Sequence, residues 1–263
     1  MAERIGQEIL SLPITSEMTE QQLNISAIPS QISSRTERSR APDGDDLDVV
    51  TLRSRSIYLA CKRCLDIVLA LFVLLLSLPI WLLIALLIKC SSRGSVLFVN
   101  RAVGQHGKVF LLYKFRTMRC LERSDTERAD VVRNSVEQKP TAYRDGQPIY
   151  KTALADDRIT RVGRVLRRTS LDELPQLWNI LRGNLSFVGP RPSLPDEVAS
   201  YEEWQKQRLL VPQGLTGLYQ VTARNRVPID EMVRIDLEYI RRRSFWFDLS
   251  ILCKTPSAML SGL

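Results

Sequence analysis

The chain has 263 residues, 44% of them hydrophobic, with 37 Lys and Arg against 29 Asp and Glu for a formal net charge of +8. That length holds a membrane segment plus one compact domain, and a single histidine, His106, excludes histidine-rich catalysis from zinc hydrolases to Ser-His-Asp triads. The basic balance points to anionic lipid headgroups or phosphorylated substrates, and without zinc-finger spacing or an aromatic RNA-binding signature no nucleic acid is expected as a partner.

Residues 1–56 are rich in Ser, Thr, Gln, Glu and Arg and are expected to form a disordered arm, lacking the apolar core of a cleavable signal. From Ile67 to Ile88 no ionisable side chain occurs. As a helix this run reaches roughly 33 Å, about the hydrocarbon thickness of a bilayer. Pro79, near its middle, removes a backbone donor, and Ser77 can satisfy a freed carbonyl, so a helix break at Ser77 and Pro79 is expected. Arg53, Arg55, Lys62 and Arg63 precede the run while Lys89, Arg93, Arg101 and Lys108 follow it, giving both flanks cytoplasmic character. On these residues a kinked single span and a re-entrant helix over 57–93 both stay open. Cys61-Lys-Arg-Cys64 has zinc-like spacing without a second pair and is read as thiols near the membrane surface. No disulfides are expected.

Val96–Val99 and Val109–Tyr113 read as strands joined by the turn-prone Gly104–Gly107, and Asp145-Gly146 reads as a turn in an otherwise opaque polar stretch. From Asp157 to Arg168, Ile159, Val162, Val165 and Leu166 mark one face of a helix whose other face is Arg158, Arg161, Arg164, Arg167 and Arg168. A second helix is expected from Pro175 to Arg182, stopped by Gly183. Ile229 to Arg243 reads as a helix with Met232, Ile235, Leu237 and Ile240 partly buried. The tail from Phe245 to Cys253 suits either a headgroup-plane segment or a core-packing helix.

The arginine face runs straight into Ser170-Leu-Asp-Glu173. Guanidinium forks match phosphate oxygens, and two adjacent carboxylates beside them can supply a nucleophile and a metal ligand. Ser170 and Glu173 also stand at capping-box spacing, so Ser170 is read as a helix start, while a site and a cap both stay open for Asp172 and Glu173. Pro190 and Pro192 stiffen the loop around Arg191, a way to present an anion-binding arginine with little freedom to lose.

Lys114-Phe-Arg-Thr-Met118, Thr169-Ser-Leu-Asp-Glu-Leu-Pro-Gln-Leu177, Val188-Gly-Pro-Arg-Pro192 and Gly214-Leu-Thr-Gly217 follow the order seen in the bacterial sugar transferases, the monotopic polyprenyl-phosphate phosphoglycosyl transferases. The chain resembles that family from about Cys61 to Leu260. The resemblance implies a predominantly helical α+β protein with a Pro-broken re-entrant N-terminal helix and a catalytic domain, 94–263, with interfacial helices, on the cytoplasmic face of the bacterial inner membrane. It implies that Asp172 is a nucleophile and Glu173 its partner, the pair also holding Mg²⁺. Arg167, Arg168, Pro190, Arg191, Pro192, Lys114 and Arg116 would bind phosphate and nucleotide. The implied reaction moves a hexose-1-phosphate from a UDP-sugar to polyprenyl (undecaprenyl) phosphate through a phospho-aspartate, releasing UMP, at the first membrane step of exopolysaccharide or O-antigen type glycan assembly. Downstream glycosyltransferases are further expected partners. Leu78 separates Ser77 from Pro79 where relatives often read Ser-Pro. The rival reading, a membrane-tethered adaptor that binds anionic lipid or a protein partner, leaves the ordered motifs unexplained.

Overall fold

The computed structural model describes residues 56–119, 158–223 and 226–260, with two short strands between 142 and 149. The arm and most of the stretch from 120 to 155 lie outside the described residues. The architecture is mostly helical with three small two-stranded sheets.

Helix α1 covers Ser56–Ser91. It continues through Pro79 as one element, where a break was expected. One proline removes one donor, so the hydrogen-bond ladder can resume within a turn, and Ser77 Oγ donates to the Leu74 carbonyl at 3.2 Å beside it. Strands β1 (Leu97–Val103) and β2 (Val109–Phe115) pair antiparallel, from Leu97 opposite Phe115 to Val103 opposite Val109. The turn between them places His106 at φ 56° and Gly107 at φ 74°. Strands β3 (Ala142–Arg144) and β4 (Gln147–Ile149) pair antiparallel on either side of Asp145-Gly146, which lie outside the described residues.

Helix α2 (Arg161–Thr169) starts from Thr160, whose side chain accepts from the Gly163 amide. Helix α3 (Gln176–Leu181) ends before Gly183 at φ 81°, close to the bounds read from Pro175 and Gly183. Strand β5 (Ser186–Val188) pairs in parallel with β6 (Gly214–Thr216), with the short helices α4 (Pro195–Ala199) and α5 (Glu203–Lys206) between them. Helices α6 (Leu218–Thr222), α7 (Ile229–Arg242) and α8 (Phe245–Leu260) complete the fold. On α7, Met232, Leu237 and Ile240 are buried as their spacing predicts. On α8 the two readings of the tail divide by side: Ile251 and Ala258 are buried, while Phe245, Trp246 and Leu249 are exposed.

The main core joins Leu177, Ile180, Leu185, Val188, Trp204, Val233, Leu237, Ile240 and Ile251, and Ala70 of α1 is buried in it. A second cluster gathers Ile84 and Ile88 of α1 with Phe115 and Leu166, and Trp81 packs edge-on to Phe115. Both halves of α1 are therefore seated on the same domain. Polar bonds fasten the first half: Lys62 pairs with Asp248 of α8 at 2.6 Å, and Asp66 accepts the Phe187 amide of β5 at 3.0 Å. Arg63 donates to the Ile180 and Leu181 carbonyls at the end of α3. The opposite side of the run, including Val68, Phe72, Leu75, Leu76, Leu82 and Leu86, is exposed. A contiguous apolar surface of this length suits lipid, not water.

Candidate active site

Ser170 stands at a junction, preceding the 3-10 turn Leu171–Glu173 as well as ending the helix before it. It closes α2 in the left-handed region at φ 55° and makes no side-chain cap. Such a conformation costs a non-glycine residue about 1 kcal/mol, and it turns the chain sharply. The next residues, Leu171–Glu173, form a single 3-10 turn leading through Pro175 into α3. The dyad therefore stands on a tight corner between two helices, each held from outside.

Helix α2 is held against the segment after β2. The Thr160 amide donates to the Thr117 carbonyl at 3.1 Å, and Arg167 Nε donates to Thr117 Oγ1 at 2.8 Å. Helix α3 is held against β2 by Asn179, fully buried, whose amide nitrogen donates to the Leu111 carbonyl at 2.6 Å while its oxygen accepts the Tyr113 amide at 3.2 Å. Lys114, one residue further along β2, reaches Glu173 at 2.7 Å. Thr117 lies within the Lys114–Met118 motif with no role of its own assigned, and Asn179 lies outside every motif; their partners are some 50 and 68 positions away, beyond any local pattern.

Asp172 is 9% exposed and Glu173 is more open. Burial, and then the neighbouring Glu173 charge, push the Asp172 carboxyl up from 3.8 to about 6, while Lys114 and Arg167 pull against that shift. The group is thus largely ionised at neutral pH yet more basic than an ordinary aspartate, as a carboxylate nucleophile benefits from being. Replacing Glu173 by Gln removes the repelling charge and leaves Lys114 and Arg167 acting on Asp172. The Asp172 midpoint should then fall below about 6, measured by carbon-detected NMR titration of the carboxyl. A midpoint that rises or stays would disprove the coupling.

The expected site residues are distributed unevenly. Asp172, Glu173, Lys114 and Arg167 come together through the contacts and charges above. Arg168 is exposed on α2, as are Arg161 and Arg164. Arg116 is taken up elsewhere: its nitrogens donate to the Ser92 and Arg93 carbonyls at 2.7 and 2.6 Å and so bind the end of α1. Pro190, Arg191 and Pro192 belong to the loop after β5, Pro190 buried and the other two half-buried. Burial raises the Asp236 carboxyl, and the Arg208 charge first, then that of Arg191, oppose the shift, which places Arg191 near Asp236 of α7.

A small cavity between α1 and α8 is lined by Tyr58, Lys62, Phe245 and Asp248 among others, apart from the dyad. Its polar side is filled by the Lys62–Asp248 pair and by Tyr58, which donates to Asp248 at 2.8 Å. Among the described residues no group of three or more His, Cys, Asp or Glu side chains converges. The dyad offers two hard oxygen donors, a set that suits Mg²⁺, which commonly takes one or two carboxylates and completes its shell with water and substrate phosphate.

The family model described as bacterial sugar transferase matches residues 57–262. The chain is 42% identical over 201 residues to the exopolysaccharide production protein ExoY of Rhizobium meliloti strain 1021, a match covering 76% of this chain and 86% of that one. It is 38% identical over 200 residues to the undecaprenyl-phosphate galactose phosphotransferase of Salmonella typhimurium, covering 76% of this chain and 40% of that longer protein. Against the UDP-glucose:undecaprenyl-phosphate glucose-1-phosphate transferase of Caulobacter vibrioides it is 36% identical over 214 residues, covering 76% and 70%.

Proposed function

The chain belongs to the bacterial sugar transferase family, and from that premise we propose that it is a phosphoglycosyl transferase that moves a hexose-1-phosphate from a UDP-sugar to undecaprenyl phosphate at a membrane surface. The observation that carries the reading is a buried carboxylate, Asp172, raised in basicity and flanked by Lys114 and Arg167.

A carboxylate oxygen of Asp172 attacks the sugar-bearing phosphorus. A new P–O bond forms, the diphosphate bridge breaks, and UMP leaves with the bridging oxygen and its electron pair. The phosphate oxygen of the lipid then attacks the same phosphorus, breaking the aspartyl–phosphorus bond and restoring the carboxylate. An anion approaching a diphosphate meets repulsion of roughly several kcal/mol in a partly dry site, which Lys114 and Arg167 offset. Mg²⁺ held by Asp172 and Glu173 would neutralise phosphate charge there when bound. Splitting the transfer in two means the soluble donor and the lipid acceptor need not share the site. The test omits the acceptor: purified protein with UDP-sugar, Mg²⁺ and labelled UMP should exchange label into UDP-sugar. Absence of exchange, with turnover on added lipid, would overturn the two-step scheme.

The seating of α1 supports a re-entrant reading in which the helix bends at Pro79 and both ends stay on the cytoplasmic side. The first half packs through Ala70 and the second through Ile84 and Ile88 onto one domain, leaving neither half free to carry its end across. Exposed Trp178, Phe245 and Trp246 suit the headgroup zone. Single cysteines placed before Ile57 and after Arg93, in a cysteine-free background, should react with membrane-impermeant reagents from the cytoplasmic side alone. Labelling of one flank from outside would restore a single span. The place of the reaction is then the inner membrane of a bacterium, at the start of exopolysaccharide or O-antigen type assembly, where a downstream glycosyltransferase takes the product.

A further inference from the structure

The loop from Gly189 to Ser193 is clamped at both ends, by different means. At its start the Gly189 amide donates to the Thr216 carbonyl at 2.9 Å and the Gly214 amide to the Pro190 carbonyl at 2.8 Å. A Cβ added to Gly214 would fall 2.1 Å from the Gly189 nitrogen, so the two backbones touch. At its far end the clamp is a side chain, Arg208, which is 0% exposed.

A guanidinium carries five N–H donors in a rigid fork. In Arg208 each finds an acceptor. Nε donates to Asp236 Oδ2 at 3.0 Å, and Nη2 donates both to Asp236 Oδ2 at 2.5 Å and to the Arg191 carbonyl at 2.9 Å. Nη1 donates to Tyr201 Oη at 2.9 Å and to Ser193 Oγ. The Ser193 carbonyl in turn accepts the Val103 amide at the end of β1, at 2.8 Å. Asp236 is equally buried and matches the Arg208 charge, so the pair adds no net charge and the cation this loop presents is Arg191.

We infer that Arg208 is a positioning residue for Arg191, fixing its carbonyl and the hydroxyl two residues on so that the Arg191 guanidinium meets the donor diphosphate in one place. The inference rests on the reading of Arg191 as a phosphate-binding residue. A lysine at 208 keeps the charge but brings three donors where the arginine brings five. Misaiming Arg191 forfeits part of its contact, because a phosphate is held by direction as well as charge.

The experiment is a double-mutant cycle in the full chain, read by exchange of labelled UMP into UDP-sugar. Arg191→Ala, Arg208→Lys and Ser193→Ala are made singly, and the latter two also on top of Arg191→Ala. Ser193→Ala deletes one acceptor while keeping the Arg208–Asp236 pair, so it serves if Arg208→Lys fails to fold. Arg208→Lys should lower kcat/KM for UDP-sugar about tenfold and Ser193→Ala about threefold, and neither should lower it further when Arg191 is already alanine. Equal losses with and without Arg191 would make Arg208 a scaffold residue alone and overturn the inference while leaving the phosphate role of Arg191 standing. If Arg191→Ala itself leaves kcat/KM unchanged, that phosphate role fails and the inference with it.

Discussion

Replacing Asp172 by Asn should abolish both UMP exchange and transfer, a loss of at least about 10⁴-fold, and should at the same time make the protein more stable at pH 7. The first effect follows from removing the attacking oxygen, as with other covalent nucleophiles. The second follows from linkage. The Asp172 carboxyl titrates near 6 in the folded chain against an ordinary value of 3.8, so folding penalises its ionisation. That stabilising preference for the protonated form is fully present below about pH 4 and is lost as pH rises through about 6. Asn, which never ionises, escapes the penalty, a difference of roughly 1–3 kcal/mol at pH 7. Thermal melts in detergent at pH 4 and pH 7 would check it: the gap between variant and wild type should open with pH. A variant that is inactive but less stable at pH 7 would point to misfolding, and one that still exchanges label would remove Asp172 as the nucleophile. The wild-type rate should itself fall as pH drops through about 6, where the carboxylate is protonated.

Gly163→Ala should destabilise the chain by roughly 3 kcal/mol and carry activity down with it. The naive expectation has the opposite sign, because alanine favours a helix interior over glycine by ~1 kcal/mol. Here the helix has no room. A Cβ on Gly163 would lie 2.0 Å from the Thr117 carbonyl oxygen and 2.8 Å from the Thr117 Cα, both backbone atoms that cannot rotate away. Helix α2 would have to lift off the segment after β2, breaking the Thr160–Thr117 bond and the Arg167–Thr117 bond that aims a cation at the dyad. Arg164→Ala, exposed on the same helix, should stay within about 0.5 kcal/mol of wild type. Melting curves of the two variants side by side measure the contrast, and a Gly163→Ala protein as stable as wild type would refute the packing argument.

Periodicity was enough to read those elements whose burial is one-sided. The β1–β2 hairpin, α3 and α7 lie close to where two apolar runs around a Gly-rich turn, Pro175 and Gly183, and the spacing of Met232, Leu237 and Ile240 put them, although β1 runs on to Val103. Sequence also brought out the dyad, because adjacent carboxylates beside an arginine run are conspicuous on any ladder of residues. The misreadings share a cause, which is that a local pattern does not say which distant group answers it. Ser170 with Glu173 has the spacing of a capping box, and Ser170 does precede a 3-10 turn, but it also ends the preceding helix and its side chain makes no cap. Arg116 carries the same charge as a phosphate ligand, but the carbonyls of Ser92 and Arg93 take it. At Pro79 the helix stays one element, and a domain far away in sequence that braces both its halves governs how far it bends there. Arg208 sits in a polar stretch with no motif, and the four acceptor atoms that meet its five donors come from four other positions.

The long apolar helix is also an inner wall of the domain it anchors. Cutting the chain ahead of residue 94 to obtain a water-soluble enzyme would strip the covering from Leu177, Ile180, Phe115 and Leu166, and would leave Asp248 without Lys62 and the Phe187 amide without Asp66. Solubilisation by design has to keep the stripe formed by Lys62, Asp66, Ala70, Ile84 and Ile88 and repaint the opposite one, exchanging Val68, Phe72, Leu75, Leu76, Leu82 and Leu86 for polar helix formers.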